Sequence, residues 1–393
     1  MMLAQTESLA LTGGTIYPSP PDAPIRGGVV LIEGGKIAAV GSRGAVRIPH
    51  GAQTIDCTGL TITAAFQNSH VHFFERKWIN AAEIPAPELA RQLDEWVTRY
   101  GFTSVFDLSS PWENTRRIRD RIESGEIAGP RIRSTGMGLL PPNPGIPPDA
   151  VLDFMGVMRT HGPEVGDAVQ AAAELRKLLD QGVDAIKLFV SAPSKSMMTD
   201  EVIRAAVNEA HKAGRLVFIH PNTADDVMAA VRCGVDIIGH TTPRSPWDEK
   251  LLSAMREKRV ALIPTLTIWN YFLRHDRVSV QDRSTDAAVR ELHDWVALGG
   301  TVLFGTDLGA VDYDPTPEYL LMAKAGMTFP QILASLTTAP AERFGDGKHL
   351  GRIAVGFDAD LAVLNGDPAK DIRSLAEVRY TLRSGRVIYG HAR

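Results

Sequence analysis

One stretch of the chain, residues 215–240, contains a complete strand–helix–strand unit and reads RLVFIHPNTADDVMAAVRCGVDIIGH. Its first six and last six residues are short, mainly apolar runs typical of buried parallel strands. Between them, Thr223 followed by Asp226 is a signature for the start of a helix, and Gly234 marks its end. A strand, a helix and a second strand in this order predict two parallel strands of one sheet.

The same alternation of strand and helix recurs along the middle of the chain. Further helices are predicted over Asp167–Asp180, from Thr199, and from the pair Thr328 and Gln331. Eight such units in roughly 250 residues match a closed (β/α)8 TIM barrel of the α/β class. A doubly wound open sheet is the alternative. The strands are predicted near residues 62–72, 102–108, 131–136, 183–190, 215–220, 235–240, 259–264 and 301–307.

Both ends of the chain have a different sequence pattern, which predicts short strands and tight turns. Near the N-terminus, the pair Gly34-Gly35 separates two apolar runs in the pattern of a β-hairpin. Near the C-terminus, Ser384-Gly385 stands between two runs of the same kind. Strand-rich ends around a different middle predict a small β-sandwich domain formed by both termini. We expect it to comprise residues 1–61 and 348–393, with the barrel over 62–347.

Composition excludes several classes of protein. The chain has 393 residues, 42 Lys and Arg against 46 Asp and Glu, and a net charge of −4, which gives no reason to expect binding to nucleic acid. No apolar run approaches ~20 residues, so no membrane span is expected. The two cysteines are too few for a disulfide framework and fit a reducing compartment. We therefore expect a cytoplasmic enzyme or binding protein.

The sharpest local feature is the sequence His70-Val71-His72 at the end of the first predicted barrel strand. Residues i and i+2 of a strand point to the same face, so the two imidazoles converge. Imidazole is the commonest metal ligand, although two histidines at this spacing are weak support alone. In the fourth strand, Lys187 falls on the inner face, where a lysine is costly to bury without a chemical role. A lysine that reaches solvent at the barrel mouth is the alternative.

Three more strands end in residues that bind metals: His220 ends the fifth, His240 the sixth and Asp307 the eighth. Each alone would more often be a capping or core residue. The active sites of barrel enzymes lie at the carboxyl ends of the strands, and five strands carry such a residue there. The pattern therefore predicts a metal site.

These residues resemble those of the amidohydrolase superfamily, in its binuclear subtype close to the imidazolonepropionase-like and prolidase-like amidohydrolases. The resemblance covers essentially the whole chain and includes Gly305-Thr306-Asp307 and the run from Val355 to Leu361. Two positions depart from the family pattern. Ala64-Ala65-Phe66 replaces the usual Pro-Gly-Phe, and Pro221 follows His220 where alanine is usual. Neither departure removes a ligand, but Pro221 lacks a backbone N–H, which weakens the transfer of substrate specificity.

The resemblance implies a centre with two divalent metal ions. Lys187 would carry carbon dioxide as a carbamate and bridge both ions, since a free lysine with a pKa of ~10.4 would repel them. His70, His72 and Asp307 would hold the more buried ion, and His220 and His240 the more exposed one. Zinc is the first choice, with manganese, iron or cobalt as alternatives.

The resemblance also implies hydrolysis of a carboxamide bond in a dipeptide, an N-acyl amino acid or a small cyclic amide, by a hydroxide that bridges the metals. Asp307 would act as base and then acid, with Lys187 and His240 as further catalytic residues. The alternatives are a lactone, ester or phosphotriester hydrolase, a mononuclear deaminase or imidazolonepropionase-type hydrolase, and a non-catalytic scaffold. The partner is a small-molecule substrate, and homo-oligomer formation stays open.

Residues 139–166 interrupt the alternation of strands and helices and are rich in proline between 141 and 148. Loops of this length inside a compact domain are usually functional. Because this one follows the third strand, we predict that it forms a lid over the active-site face. Aromatic residues after the first and seventh strands, including Phe73, Phe74, Trp78 and Trp269, suit an apolar substrate or simply pack the loops.

Overall fold

The computed structural model describes residues 8–145, 152, 156–191, 196–272, 278–309 and 311–390, with the side chains of 271–272 and 278–282 left aside. This part of the chain contains sixteen strands. Their bounds are β1 Leu9–Ile16, β2 Ile25–Glu33, β3 Lys36–Ser42, β4 Gln53–Asp56, β5 Leu60–Ala64, β6 Phe66–Val71, β7 Phe102–Asp107, β8 Arg131–Ser134, β9 Ile186–Phe189, β10 Val217–His220, β11 Ile237–Gly239, β12 Ala261–Ile263, β13 Thr301–Val302, β14 Leu361–Asn365, β15 Val378–Arg383 and β16 Arg386–Tyr389.

Strands from both ends of the chain form one eight-stranded sheet. Its order is β16-β15-β14-β5-β1-β2-β3, with β4 also paired to β1. Strand β14 joins the two termini, because it pairs antiparallel with β5 on one side and β15 on the other. Leu11, Ile62 and Leu361 are among the buried residues of its core. The expected contribution of both termini to one β structure is therefore observed, whereas the domain bounds stay a prediction.

The eight strands β6 to β13 correspond to those predicted from the sequence, and within each of two sheets neighbours in chain order pair parallel. They form a three-stranded sheet, β6-β7-β8, and a five-stranded sheet, β9 to β13. Backbone hydrogen bonds cross both junctions between these sheets. Asp307 N donates to His70 O at 2.9 Å, and Leu139 N donates to Lys187 O at 2.9 Å. The α/β class is thus confirmed, with the carboxyl ends of β6 and β13 side by side.

Two predicted strands have different bounds in the structure. The strand expected near 62–72 is divided at Ala65, because β5 pairs with β14 of the terminal sheet while β6 pairs with β7. The strand expected over 301–307 is paired only at residues 301–302. Beyond Val302 the chain stays against β6 and then turns at Asp307, whose φ is 61°.

The structure confirms the predicted starts of the helices that follow Asp167, Thr199 and Thr223. Side chains of Asp167, Thr199 and Thr223 accept hydrogen bonds from backbone N–H groups of the first turn. No α-helix in the described ranges is long and apolar enough to cross a membrane. The helices are α1 Ala86–Trp96, α2 Trp112–Glu123, α3 Ala168–Asp180, α4 Asp200–Lys212, α5 Ala224–Cys233, α6 Glu249–Glu257, α7 Thr267–Phe272, α8 Val278–Ala297, α9 Thr316–Lys324, α10 Phe329–Leu336 and α11 Thr338–Arg343.

Side chains alternate between two apolar clusters along the parallel strands. In and beside β9, Ile186, Leu188 and Val190 pack in the large cluster with residues of the helices. Ala185 packs in a smaller cluster that contains Phe218, Ile263 and Leu303 from other parallel strands and their ends. The inner and outer faces predicted for the fourth strand are therefore observed, and Lys187 falls on the inner one.

The described parts of the long loop, residues 139–145, 152 and 156–166, lie partly against the segment that follows β6. Met158 N donates to Phe74 O at 2.8 Å, and Arg76 N donates to Gly156 O at 2.9 Å. The loop therefore contacts the segment that follows His72. Its function as a lid stays a prediction, and residues 146–151 and 153–155 of the loop lie outside the described residues.

Candidate metal centre

His70, His72 and Asp307 meet at the carboxyl ends of β6 and β13. The Oδ1 atom of Asp307 lies 3.2 Å from His70 Nε2 and 2.7 Å from His72 Nε2. All three side chains are buried, and one ligand atom from each falls within 4.8 Å of the others. Two imidazoles and a carboxylate at this spacing are a ligand set suited to a transition metal.

His240 and His220 extend this group along the neighbouring strand ends. The ring of His240 lies 4.8 Å from that of His70 and 4.7 Å from that of His220. The four imidazole rings therefore form a row in space, with His72 at one end and His220 at the other. The structure brings together all four histidines predicted from the strand ends.

Lys187 is buried on the inner face with only 1 % of its surface exposed. Within the described part of the chain its Nζ atom has no hydrogen-bond partner. Burial lowers the pKa of Lys187 to about 7, against the opposing charge of Asp307. The positive charge of Lys187 in turn acts to lower the pKa values of His70, His220 and His240. The amine therefore lies near these three imidazoles. The alternative of a lysine that reaches solvent is wrong.

The protonation states of the group are those of metal ligands. Burial lowers the pKa of His220 to about 4 and holds those of His70 and His240 well below the usual value. Burial acts to raise the pKa of Asp307, but His70 and His72 outweigh it and hold this pKa well below its ordinary range. At neutral pH the site therefore presents neutral imidazoles at His70, His220 and His240 and a carboxylate at Asp307.

The backbone around the site is unusual in ways that explain how the side chains meet. His240, Thr265 and Asp307 have φ values of 98°, 43° and 61°, a region that non-glycine residues rarely adopt. A Cβ atom on Gly305 would lie 2.8 Å from the Cβ of His70, so glycine is required for this close approach. The constraint explains part of the Gly305-Thr306-Asp307 motif.

Several residues that support the site had not been singled out from the sequence. Asp107, at the end of β7, is buried and accepts hydrogen bonds from Ser134 Oγ at 2.6 Å and from Phe73 N at 3.3 Å. Thr265 Oγ1 lies 2.5 Å from His240 Nδ1. The position of Asp107 at a strand end was an available signal. For Thr265 there was none beyond its place after the seventh strand.

The aromatic residues after β6 divide into two groups. Phe73 and Trp78 are fully buried and pack with Trp96, their ring centroids 4.5 to 5.1 Å apart. Phe74 is half-buried, and its ring centroid lies 4.8 Å from that of His72. Packing of the loop therefore accounts for Phe73 and Trp78, and Phe74 is the aromatic residue of this segment that borders the centre.

The residues present fit metal ions. In the described ranges neither ring nitrogen of His70 makes a hydrogen bond, and the same holds for Nδ1 of His72 and for Lys187 Nζ. Buried polar atoms are nearly always satisfied, so a group of unsatisfied nitrogens beside a carboxylate indicates a ligand. The donor set of imidazole and carboxylate suits Zn²⁺ and its neighbours among the divalent metals.

The parallel strands and this centre at their carboxyl ends define a hydrolytic enzyme of the α/β class. The chain belongs to the amidohydrolase family, whose pattern matches residues 61–389, and it is an enzyme that acts on amide C–N bonds. It is 23% identical to an ochratoxinase from Aspergillus niger, over 99% of this chain and 89% of that protein.

Two solved structures are also similar to this chain. A Xaa-Pro dipeptidase with methionine bound in its active site superposes with a TM-score of 0.83 at 21% identity, over 98% of this chain and 100% of the other. A prolidase in complex with N-methylphosphonate-L-proline gives a TM-score of 0.79 at 26% identity, with the same coverage of both chains. The family resemblance noted from the sequence is thereby confirmed.

Proposed function

We propose that the protein is a metal-dependent hydrolase that cleaves a carboxamide bond in a small molecule bearing a carboxylate, such as a dipeptide or an N-acyl amino acid. The observation that carries this proposal is the meeting of four imidazoles, a carboxylate and a buried lysine, which has no hydrogen-bond partner among the described residues, at one end of the parallel strands. The similar solved structures agree with it, since a dipeptidase and a prolidase are amide hydrolases.

The centre is proposed to hold two divalent ions, zinc by first choice. His70, His72 and Asp307 would hold one ion, and His220 and His240 the other. We propose that Lys187 serves both as a carbamate, because an amine that gains carbon dioxide becomes an anion with two oxygen atoms. Its burial without a partner and its position among the imidazoles support this role. A mononuclear deaminase would leave a buried lysine at this position without a function.

The chain's own residues account for the proton transfers. When bound, the two ions supply an activated water molecule and polarise the carbonyl group of the substrate. Asp307 accepts the proton of that water as its oxygen adds to the carbonyl carbon. Asp307 then delivers the proton to the leaving nitrogen as the C–N bond breaks, so the products are a carboxylate and an amine. His72, whose Nε2 atom lies 2.7 Å from Oδ1, would hold the same ion beside this carboxylate.

The proposal extends to the architecture and the surroundings of the enzyme. We propose that the two parallel sheets are one closed (β/α)8 barrel, which the backbone hydrogen bonds at both junctions support. The terminal strands would then form a β-sandwich domain. Cys57 and Cys233 are buried and unpaired, which supports a reducing compartment such as the cytoplasm.

A substrate screen with metal-reconstituted protein tests the function. The panel contains dipeptides, N-acyl amino acids, small cyclic amides, lactones and phosphotriesters, with product formation followed by mass spectrometry. We expect turnover of amides that carry a free carboxylate, lost on chelation and restored by zinc. Turnover confined to lactones or phosphotriesters would contradict the proposal.

The matched control is Asp307→Asn at the same metal content, which keeps the shape of the side chain and removes the base. Turnover by this variant at the wild-type rate would exclude the proposed proton transfers even if the amides are substrates.

A further inference from the structure

Glu318 is a buried carboxylate outside the metal centre that the proposed reaction does not use. It lies on α9, and 1 % of its surface is exposed. Its Oε1 atom accepts a hydrogen bond from Leu266 N at 2.9 Å. Its Oε2 atom accepts from Thr267 N at 2.9 Å and from Thr267 Oγ1 at 2.6 Å. One side chain therefore fixes two successive backbone N–H groups in the loop that follows β12.

This loop carries the residue that contacts His240. Thr265 immediately precedes Leu266, and its Oγ1 atom lies 2.5 Å from Nδ1 of His240. When His240 binds a metal through Nε2, the proton lies on Nδ1, and Nδ1–H donates to the threonine hydroxyl. The position of the hydroxyl therefore decides the orientation of the imidazole.

The backbone at this point requires support. Thr265 is β-branched and has a φ of 43°, and His240 has a φ of 98°. Such conformations are unfavourable for non-glycine residues and persist where the surroundings fix them. The three hydrogen bonds to Glu318 begin at the residue after Thr265, so they fix the loop where it is strained.

A second buried carboxylate contacts the loop that carries His240 itself. Glu291, on α8, is 5 % exposed, and its Oε2 atom accepts from Thr242 N at 2.7 Å. The intervening residue, Thr241, accepts from Trp269 Nε1 at 2.9 Å, which joins this loop to the one held by Glu318. Residues 240–242 and 265–269 thus form one hydrogen-bonded unit between two carboxylates.

We propose that Glu318 is a positioning residue for the metal centre, acting through Thr265 on His240, with Glu291 as its counterpart on the opposite loop. Burying a carboxylate is costly, and within the described residues Glu318 accepts from the loop that carries Thr265 while Glu291 accepts from the loop that carries His240. If Glu318 is lost, we expect the imidazole of His240 to change its orientation. The affinity of the centre for the more exposed ion should then fall. This inference rests on the proposed function, because it requires His240 to be a ligand.

The test compares Glu318→Gln with wild-type protein, both loaded with Co²⁺. The readouts are the visible absorption of the bound ion, which reports its ligands, and metal affinity measured by competition with a chelator. We expect a changed spectrum and an affinity lower by about 10- to 100-fold. Asp360→Asn is the control, because Asp360, just before β14, is also a buried carboxylate that accepts a backbone N–H, from Ser384 at 2.8 Å, besides its ion pair with Arg131.

A second pair of variants keeps the inference testable if Glu318→Gln does not fold. Thr265→Val removes the hydroxyl with little change of shape and should reproduce the altered spectrum, whereas Thr265→Ser should restore it. Equal spectra and affinities for wild type, Glu318→Gln and Thr265→Val would overturn the inference. Failure of wild-type protein to bind Co²⁺ would instead overturn the proposed metal centre.

Discussion

Replacing Glu318 with glutamine should change how the stability of the protein depends on pH. Burial is the main cause that raises the pKa of Glu318 from 4.5 to about 7, against three hydrogen bonds that act to lower it. The unfolded chain releases this proton near pH 4.5, while the folded state holds it to about pH 7. The carboxyl group therefore contributes stability that is full below pH 4.5 and is lost as the pH rises through 7.

The size of the effect follows from the two pKa values. Each pH unit between them corresponds to ~1.4 kcal/mol, so the interval from 4.5 to about 7 amounts to about 3 kcal/mol of unfolding free energy. Glutamine does not titrate and has one acceptor oxygen for the N–H groups of Leu266 and Thr267. We expect the variant to be less stable than wild type at pH 4, and the difference to shrink by about 3 kcal/mol by pH 8.

Urea unfolding followed by tryptophan fluorescence measures this difference, with chelator present so that metal binding does not contribute. Glu257→Gln, at an exposed position of α6, should show no change in the pH slope. A gap between wild type and Glu318→Gln that is the same at pH 4 and pH 8 would refute the reasoning.

Three further predictions concern the centre and the core. Lys187→Met should lower the metal content per chain and abolish hydrolysis with an unchanged circular dichroism spectrum; full metal content by elemental analysis would contradict the bridging role. Asp307→Asn at equal metal content should lower kcat by about 10² or more, measured at saturating substrate, because a general base is lost. Trp96→Ala should cost about 3–5 kcal/mol in urea unfolding, because the ring is fully buried against Phe73 and Trp78. Ile79→Ala, at a position 44% exposed, is its control and should change stability by less than about 0.5 kcal/mol.

The residues of the candidate metal centre could be predicted because their signal is local. His70-Val71-His72 needs only the two-residue period of a strand, and His220 and His240 each end an apolar run. Parallel strands then bring their carboxyl ends together, whatever the details of packing. The inward position of Lys187 followed from the same period.

The supporting residues could not be predicted because their contacts join distant parts of the chain. Glu318 occupies an ordinary helical position, and only its approach to Leu266 and Thr267, about fifty residues earlier in the chain, distinguishes it from an exposed glutamate. The division of the first strand at Ala65 has a similar origin. It depends on the pairing of β5 with β14, which lies about three hundred residues further along.

The number of metal ions bound per chain tests the central claim most directly. Protein stripped by chelation is reconstituted with zinc and bicarbonate, and zinc and protein are then measured in the same sample by elemental and amino-acid analysis. The arrangement of His70, His72, Lys187, His220, His240 and Asp307 predicts two zinc ions per chain. A value that stays at one or at zero with excess metal would contradict the account.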